Sequence, residues 1–262
     1  MTLTELMQAM HAEPGLVRST VSDDWLQGRS AFGGLQGAFA LWAMRTLVPA
    51  STPLRAVQMT FIAPVSAGDV ATRARVLRAG KNTMHVEARI EDGDDVLAHA
   101  IAIFGSSRES MVRHELPHPT PSPTVGGTRL PFVPNVVPNF MQHFDVRLLD
   151  GAMPFSGSAA TRNVFDLGMD ESGNATETHL LAIADFVPPV ALSWVPKPTP
   201  GSSMTWMLEV LDQNFAAQPL KRWRVDSEMI AARDGYTSQS TVIYAPNGVA
   251  TVLSRQSMAL FG

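Results

Sequence analysis

Hydrophobic and polar positions follow two periods along the chain, and the order in which those periods occur is repeated. Residues 35–48 are apolar on nearly every side, consist of helix formers and stop at Pro49. That pattern predicts a buried helix, entered through Gly33 and Gly34. Residues 54–62, 69–78, 83–91 and 96–104 then alternate or are rich in β-formers, separated by Gly68, by Gly80-Lys81-Asn82 and by Asp92-Gly93-Asp94. A helix followed by an antiparallel meander is expected there. Further along, residues 142–149 and 159–164 read as strands, 176–186 as a helix, and 204–210, 223–232, 237–244 and 249–260 again as strands. Ala245-Pro246-Asn247-Gly248 falls between the last two strands, where Asp92-Gly93-Asp94 falls in the first series. Two passes of strand, helix and meander predict an internally duplicated α+β protein.

Between the two series the period disappears. Residues 114–138 carry Pro117, Pro119, Pro121, Pro123, Pro131, Pro134 and Pro138 and show neither a helical nor a strand pattern, so they read as a linker. The expected organisation is one domain over residues 1–113 and a second over 139–262.

Composition narrows the function. Hydrophobic residues at 45% and charged residues at 17% of 262 supply two cores of about 120 residues each. The absence of cysteine excludes disulfides, a thiol nucleophile and thiolate metal sites. Residues 1–18 have neither a basic region nor a continuous apolar run, so no signal peptide is read and a cytoplasmic location is expected. The longest apolar stretches are too short, or too interrupted by Asp185, Pro188 and Pro189, to span a bilayer. A net charge of −4 offers nucleic acid no broad electrostatic attraction. His85, His99, His114, His118, His143 and His179 lack metal-ligand spacing, so no metal is expected and they read as surface or satisfied core histidines. No Gly-x-Ser-x-Gly elbow is present, which removes support for an α/β serine hydrolase.

Ala31-Phe-Gly-Gly-Leu-Gln-Gly-Ala-Phe-Ala40, Leu54-Arg-Ala-Val-Gln-Met-Thr-Phe-Ile-Ala-Pro64 and Gly80-Lys-Asn-Thr-Met-His-Val-Glu-Ala-Arg89 together resemble the first hotdog of the bacterial acyl-CoA thioesterase II family. Leu181-Ala-Ile-Ala-Asp-Phe186, Gly201-Ser-Ser-Met-Thr205 and Gly248-Val-Ala-Thr-Val-Leu-Ser-Arg-Gln256 resemble its second hotdog. The resemblance implies a double hotdog, two fused units whose antiparallel sheets each wrap a central helix. It implies hydrolysis of fatty acyl-CoA to free acid and CoA by an activated water, without a cofactor, and it is compatible with a homodimer. Carried over by position, the water-holding residues are Asp185, Ser203 and Gln256. The family's usual hydroxyl residue is Thr, and Thr205, two residues beyond Ser203, is expected on the same side of an unbroken strand and competes for that role.

Chemistry gives each residue a reason and a competing explanation. Asp185 ends an apolar helix, where burial would raise its pKa toward a working range; the alternative, a carboxylate bonding nearby backbone, sits badly at the negative end of a helix dipole. The Gln256 amide both donates and accepts, as holding a water requires, but sharing a strand face with Ser254 also fits a solvent-facing position. Ser203 after Pro200-Gly201-Ser202 fits an ST-turn equally well. Gly33 and Gly34 suit an oxyanion site made of backbone N–H groups, or tight packing of a helix on a sheet. A hotdog hydratase would need a histidine shortly after Asp185, and residues 186–195 contain none. The competing function is a catalytically silent double hotdog that binds acyl-CoA or a protein partner.

Overall fold

The 13-residue helix α2 (Gly33–Arg45) fixes the first half of the chain. A computed structural model describes residues 1–120 and 126–261, so Pro121 and Pro123 of the expected linker lie outside the described residues. Before α2 come α1 (Leu3–Ala9), β1 (His11–Glu13), β2 (Leu16–Val21), β3 (Leu26–Gln27) and β4 (Ser30–Ala31), of which the sequence pattern had announced none. α1 begins in a capping box: Glu5 N donates to Thr2 Oγ1 at 3.2 Å while Thr2 N donates to Glu5 Oε2 at 2.8 Å. α2 itself (Gly33–Arg45) starts two residues before the expected helix and ends three residues before its expected end. Thr46 ends it, its hydroxyl donating back to Ala43 O at 2.6 Å and competing with further helical turns.

Four strands follow: β5 (Leu54–Phe61), β6 (Gly68–Ala79), β7 (Thr83–Asp92) and β8 (Asp95–Gly105). With the early strands they form the antiparallel order β1-β2-β6-β7-β8-β5, and α2 packs across β6, β7 and β8. Because α2 is apolar all round, Leu35, Ala38, Phe39, Ala43 and Met44 are all fully buried. Facing them are Val57, Val86, Ala88, Ala100, Ala102 and Phe104, also buried.

The second series comprises β9 (Thr128–Arg129), β10 (Phe144–Asp150), β11 (Arg162–Met169), α3 (Glu177–Asp185), β12 (Gly201–Val210), β13 (Trp223–Arg233), β14 (Tyr236–Tyr244) and β15 (Ala250–Leu260). β9 corrects the reading of residues 114–138 as free of strand, since Thr128 and Arg129 pair with Leu148 and Arg147. Its strands run β12-β15-β14-β13-β11-β10-β9, again antiparallel. The shared topology is plain: β11-β13-β14-β15-β12 repeats β2-β6-β7-β8-β5. Even the irregularities repeat. Extra residues bulge at Leu77 on β6 and at Ile230 on β13, and at Arg55 on β5 and at Met204 on β12.

Two compact units result, and neither is continuous in sequence. The first contains Met1–Glu115, Phe132–His143 and Thr176–Ala182; the second contains Leu116–Pro131, Phe144–Ala175 and everything from Ile183 onward. Among the described residues no helix is long and apolar enough to cross a membrane.

Candidate active site

Strand register decides which side chains share a buried face, because residues directly opposite in an antiparallel pair point the same way. In the second unit Trp206, Gln256 and Gln239 form one such row across β12, β15 and β14. Leu208, Ser254, Thr241 and Ser227 form the next row. The corresponding rows of the first unit are Val57, Ala102 and Val86, then Met59, Ala100, Ala88 and Ala74. Amides and hydroxyls thus occupy positions of the second unit whose counterparts in the first are apolar. Gln256 is 6% exposed and Gln239 3%, so both amides lie on the buried face.

A buried amide needs partners. Gln256 Nε2 donates to Asp185 Oδ1, joining the last residue of α3 to the interior of strand β15. Asp185 is half-buried, and the donated N–H orients its carboxylate toward the inner face of the strand. Gln239 Oε1 accepts from Val190 N at 2.8 Å. Trp206 Nε1 donates to Ser254 Oγ at 2.8 Å, and the Ser227 and Thr241 hydroxyls are 2.8 Å apart. The solvent-facing alternative for Ser254 and Gln256 is therefore overturned: they do share a face, and that face is the buried one.

The expectation that Ser203 and Thr205 point the same way also fails. Ser203 stands opposite Met258, which lies on the Gln256 face, whereas Thr205 stands opposite Ser257 on the other face. The bulge at Met204 inserts one residue and breaks the alternation. Ser203 is half-buried and Thr205 is exposed. Register brings Ser203 to the face that holds Gln256 and turns Thr205 away from it.

Gly33 and Gly34 form the first turn of α2, which contains no acidic residue. A Cβ on Gly34 would lie 2.8 Å from Ala182 Cα and 2.6 Å from the Phe32 ring. Glycine is thus required at residue 34 by the close approach of helix to helix, not of helix to sheet as one reading of the sequence had it. The same side of the first unit holds Arg45, which binds Glu177 through two nitrogens, donates to Thr52 O at 2.9 Å and lies 4.5 Å from the Phe104 ring centre.

Two of the histidines have structural partners. His179 Nδ1 accepts from Thr176 N at 3.0 Å, leaving Nε2 to face Thr4 Oγ1 at 3.2 Å. His143 stacks on Trp25 with ring centres 4.1 Å apart. Burial pushes it below its ordinary pKa, outweighing the pull of Asp24 3.2 Å away. Among the described residues no group of three or more His, Asp or Glu side chains could hold a metal ion.

Twofold use of one strand order, with a carboxylate and a carboxamide joined on the inner face of the second copy, defines a double hotdog protein with a polar centre in one half. Solved structures agree on the fold. A conserved protein of unknown function with a hot dog fold from Alicyclobacillus acidocaldarius superposes with a TM-score of 0.89 at 20% identity, covering 100% of this chain and 99% of that one. The tesB protein of Mycobacterium avium subs paratuberculosis gives 0.75 at 13% identity with 100% of both chains covered, and the acyl-CoA thioesterase II TesB2 of Mycobacterium marinum gives 0.73 at 13%, covering 98% and 97%. A comparison with curated proteins finds no match. Residues 21–105 match the acyl-CoA thioesterase N-terminal domain and residues 114–260 the acyl-CoA thioesterase C-terminal domain. The chain belongs to the acyl-CoA thioesterase family, a family of hydrolases acting on thioesters.

Gln239 was not singled out by sequence reasoning. Residues 236–241, Tyr-Thr-Ser-Gln-Ser-Thr, show no apolar alternation, so no inward face is legible there. The signal available was comparative, since residue 239 corresponds in register to Val86 of the first copy.

Proposed function

We propose that this chain hydrolyses fatty acyl-CoA to the free acid and CoA at a single centre in its second unit, with Asp185 as general base and Gln256 as its amide partner. The observation that carries the reading is the hydrogen bond from Gln256 Nε2 to Asp185 Oδ1, which links two residues 71 positions apart in the chain. A carboxylate gripped by an amide is oriented to take a proton from water, and the amide oxygen of Gln256 remains an acceptor for the same water. The resulting hydroxide attacks the thioester carbonyl carbon, and the C–S bond then breaks as the tetrahedral intermediate collapses. The electron pair leaves on CoA sulfur, which takes up the proton that Asp185 removed from the water. Ser203, on the Gln256 face, is the third polar group of the centre.

The test is release of free thiol from a panel of acyl-CoAs, followed by Asp185→Asn. The variant is expected to fold and to lose roughly 100-fold or more in kcat, the scale of a general base. Absence of CoA release by the wild type with every chain length would instead support a silent acyl-CoA-binding double hotdog.

A further inference from the structure

Beside the proposed pair lies a second buried amide with no role so far. Gln239 stands directly opposite Gln256 in the β14–β15 register, on the same inner face, and is 3% exposed. Its Oε1 accepts the Val190 N–H at 2.8 Å, so its NH2 end is the donor side. Val190 is the first residue after Phe186-Val187-Pro188-Pro189, the segment by which the chain leaves Asp185. Both prolines have φ fixed near −65° and lack an N–H, so the Val190 N–H is the first backbone donor beyond them. Val190 also opens the 3-10 turn Val190–Ser193, whose N-cap Pro189 has no side-chain cap. Gln239 therefore fills the capping role from a different strand and ties the stiff exit of α3 to the strand beside Gln256.

The duplicated topology gives independent support. Where the second unit has Gln239 and Gln256 as cross-strand neighbours, the first has Val86 and Ala102. The two amides occur together in the copy that holds Asp185, and both are replaced by apolar residues in the other.

We infer that Gln239 is a positioning residue for thioester hydrolysis: by holding Val190 it sets the end of α3, and so Asp185, in register with Gln256. This inference rests on the reading of Asp185 and Gln256 as the water-activating pair.

The experiment compares the full-length wild type, Asp185→Asn, Gln239→Met and Gln239→Glu for acyl-CoA hydrolysis and melting temperature. Gln239→Met removes the acceptor and is expected to lower kcat roughly 10- to 100-fold, as displacement of a catalytic group by about 1 Å does, with KM within about twofold. Gln239→Glu keeps an oxygen for the Val190 N–H and, at a 3% exposed position, is expected to hold a proton rather than bury a charge, so it should melt close to the wild type and remains informative if the Met variant does not fold. Because the acceptor for the Val190 N–H is restored, kcat should return to near the wild-type value, a rescue of turnover and not of melting temperature alone. Wild-type kcat in Gln239→Met, or a folded Gln239→Glu with kcat as low as that of Gln239→Met, overturns the assignment while a dead Asp185→Asn leaves the underlying reading standing. An Asp185→Asn variant with full activity overturns both.

Discussion

Ser203 and Thr205 have the same parity in sequence and opposite orientations in the fold, and that difference is open to measurement. Ser203→Ala is expected to lower kcat about tenfold or more, as loss of a polar group at a reacting centre does. Thr205→Ala should leave kcat unchanged and stability within about 0.5 kcal/mol, being an exposed side chain on the other face. Equal losses in both would mean that the bulge at Met204 does not separate their roles. Gly34→Ala belongs to a different class: its methyl would meet the Ala182 backbone, which cannot swing aside as a side-chain tip can. A destabilisation of about 1–3 kcal/mol, read from denaturant unfolding, is expected. Asp185 and Gln256, which the fold joins, were singled out by the resemblance, and each also breaks an otherwise apolar or small-residue run. Gln239 was not, because its polar neighbours Ser238 and Ser240 hide the alternation.

At the scale of elements, the long strands and both central helices were legible to within a few residues, since their patterns extend over nine or more positions. The elements before α2 were missed for separable reasons. α1 has seven residues, too few for a period to declare itself, although Thr2-Leu3-Thr4-Glu5 carries the capping-box signature. β2 buries Ser19 between Val17 and Val21, which blurs its alternation. Long-range ties between elements leave no local trace at all. Glu177 opens α3, where the helix dipole favours an acid, and there receives Arg45 from the last turn of α2 and Leu54 N at 3.1 Å. The two side chains are 17% and 19% exposed, so Arg45→Met would leave a largely buried carboxylate without its partner. Unfolding in denaturant should show a loss of roughly 3 kcal/mol. A change below a few tenths would mean that the pair contributes nothing net.

For the whole molecule, duplication was legible from the repeated order of periods and from matching turns between the last two strands, but the boundaries of the packed units were not, because packing ignores sequence distance. Residues 1–115 expressed alone lack Phe140, whose ring stacks on Phe32 at 4.1 Å, as well as Glu177 and Ala182. That fragment is expected to aggregate, and recovery of a soluble, cooperatively melting species would contradict it. Residues 135–262 lack Thr120, whose carbonyl accepts from Arg224 Nη1 at 2.6 Å, and β9, so loss of activity in that fragment is expected too. The discontinuity of the first unit also sets a schedule for the newborn polypeptide. While the ribosome works from residue 115 to residue 182, at about 5–20 residues per second, the first sheet waits roughly 3 to 13 seconds for the aromatic ring and helical turn that complete it. During that interval Phe32 and the α2 end of the sheet are uncovered. Nascent chains stalled near residue 115 should accordingly be cut by protease and held by chaperones, and those stalled with residue 182 clear of the exit tunnel should be resistant.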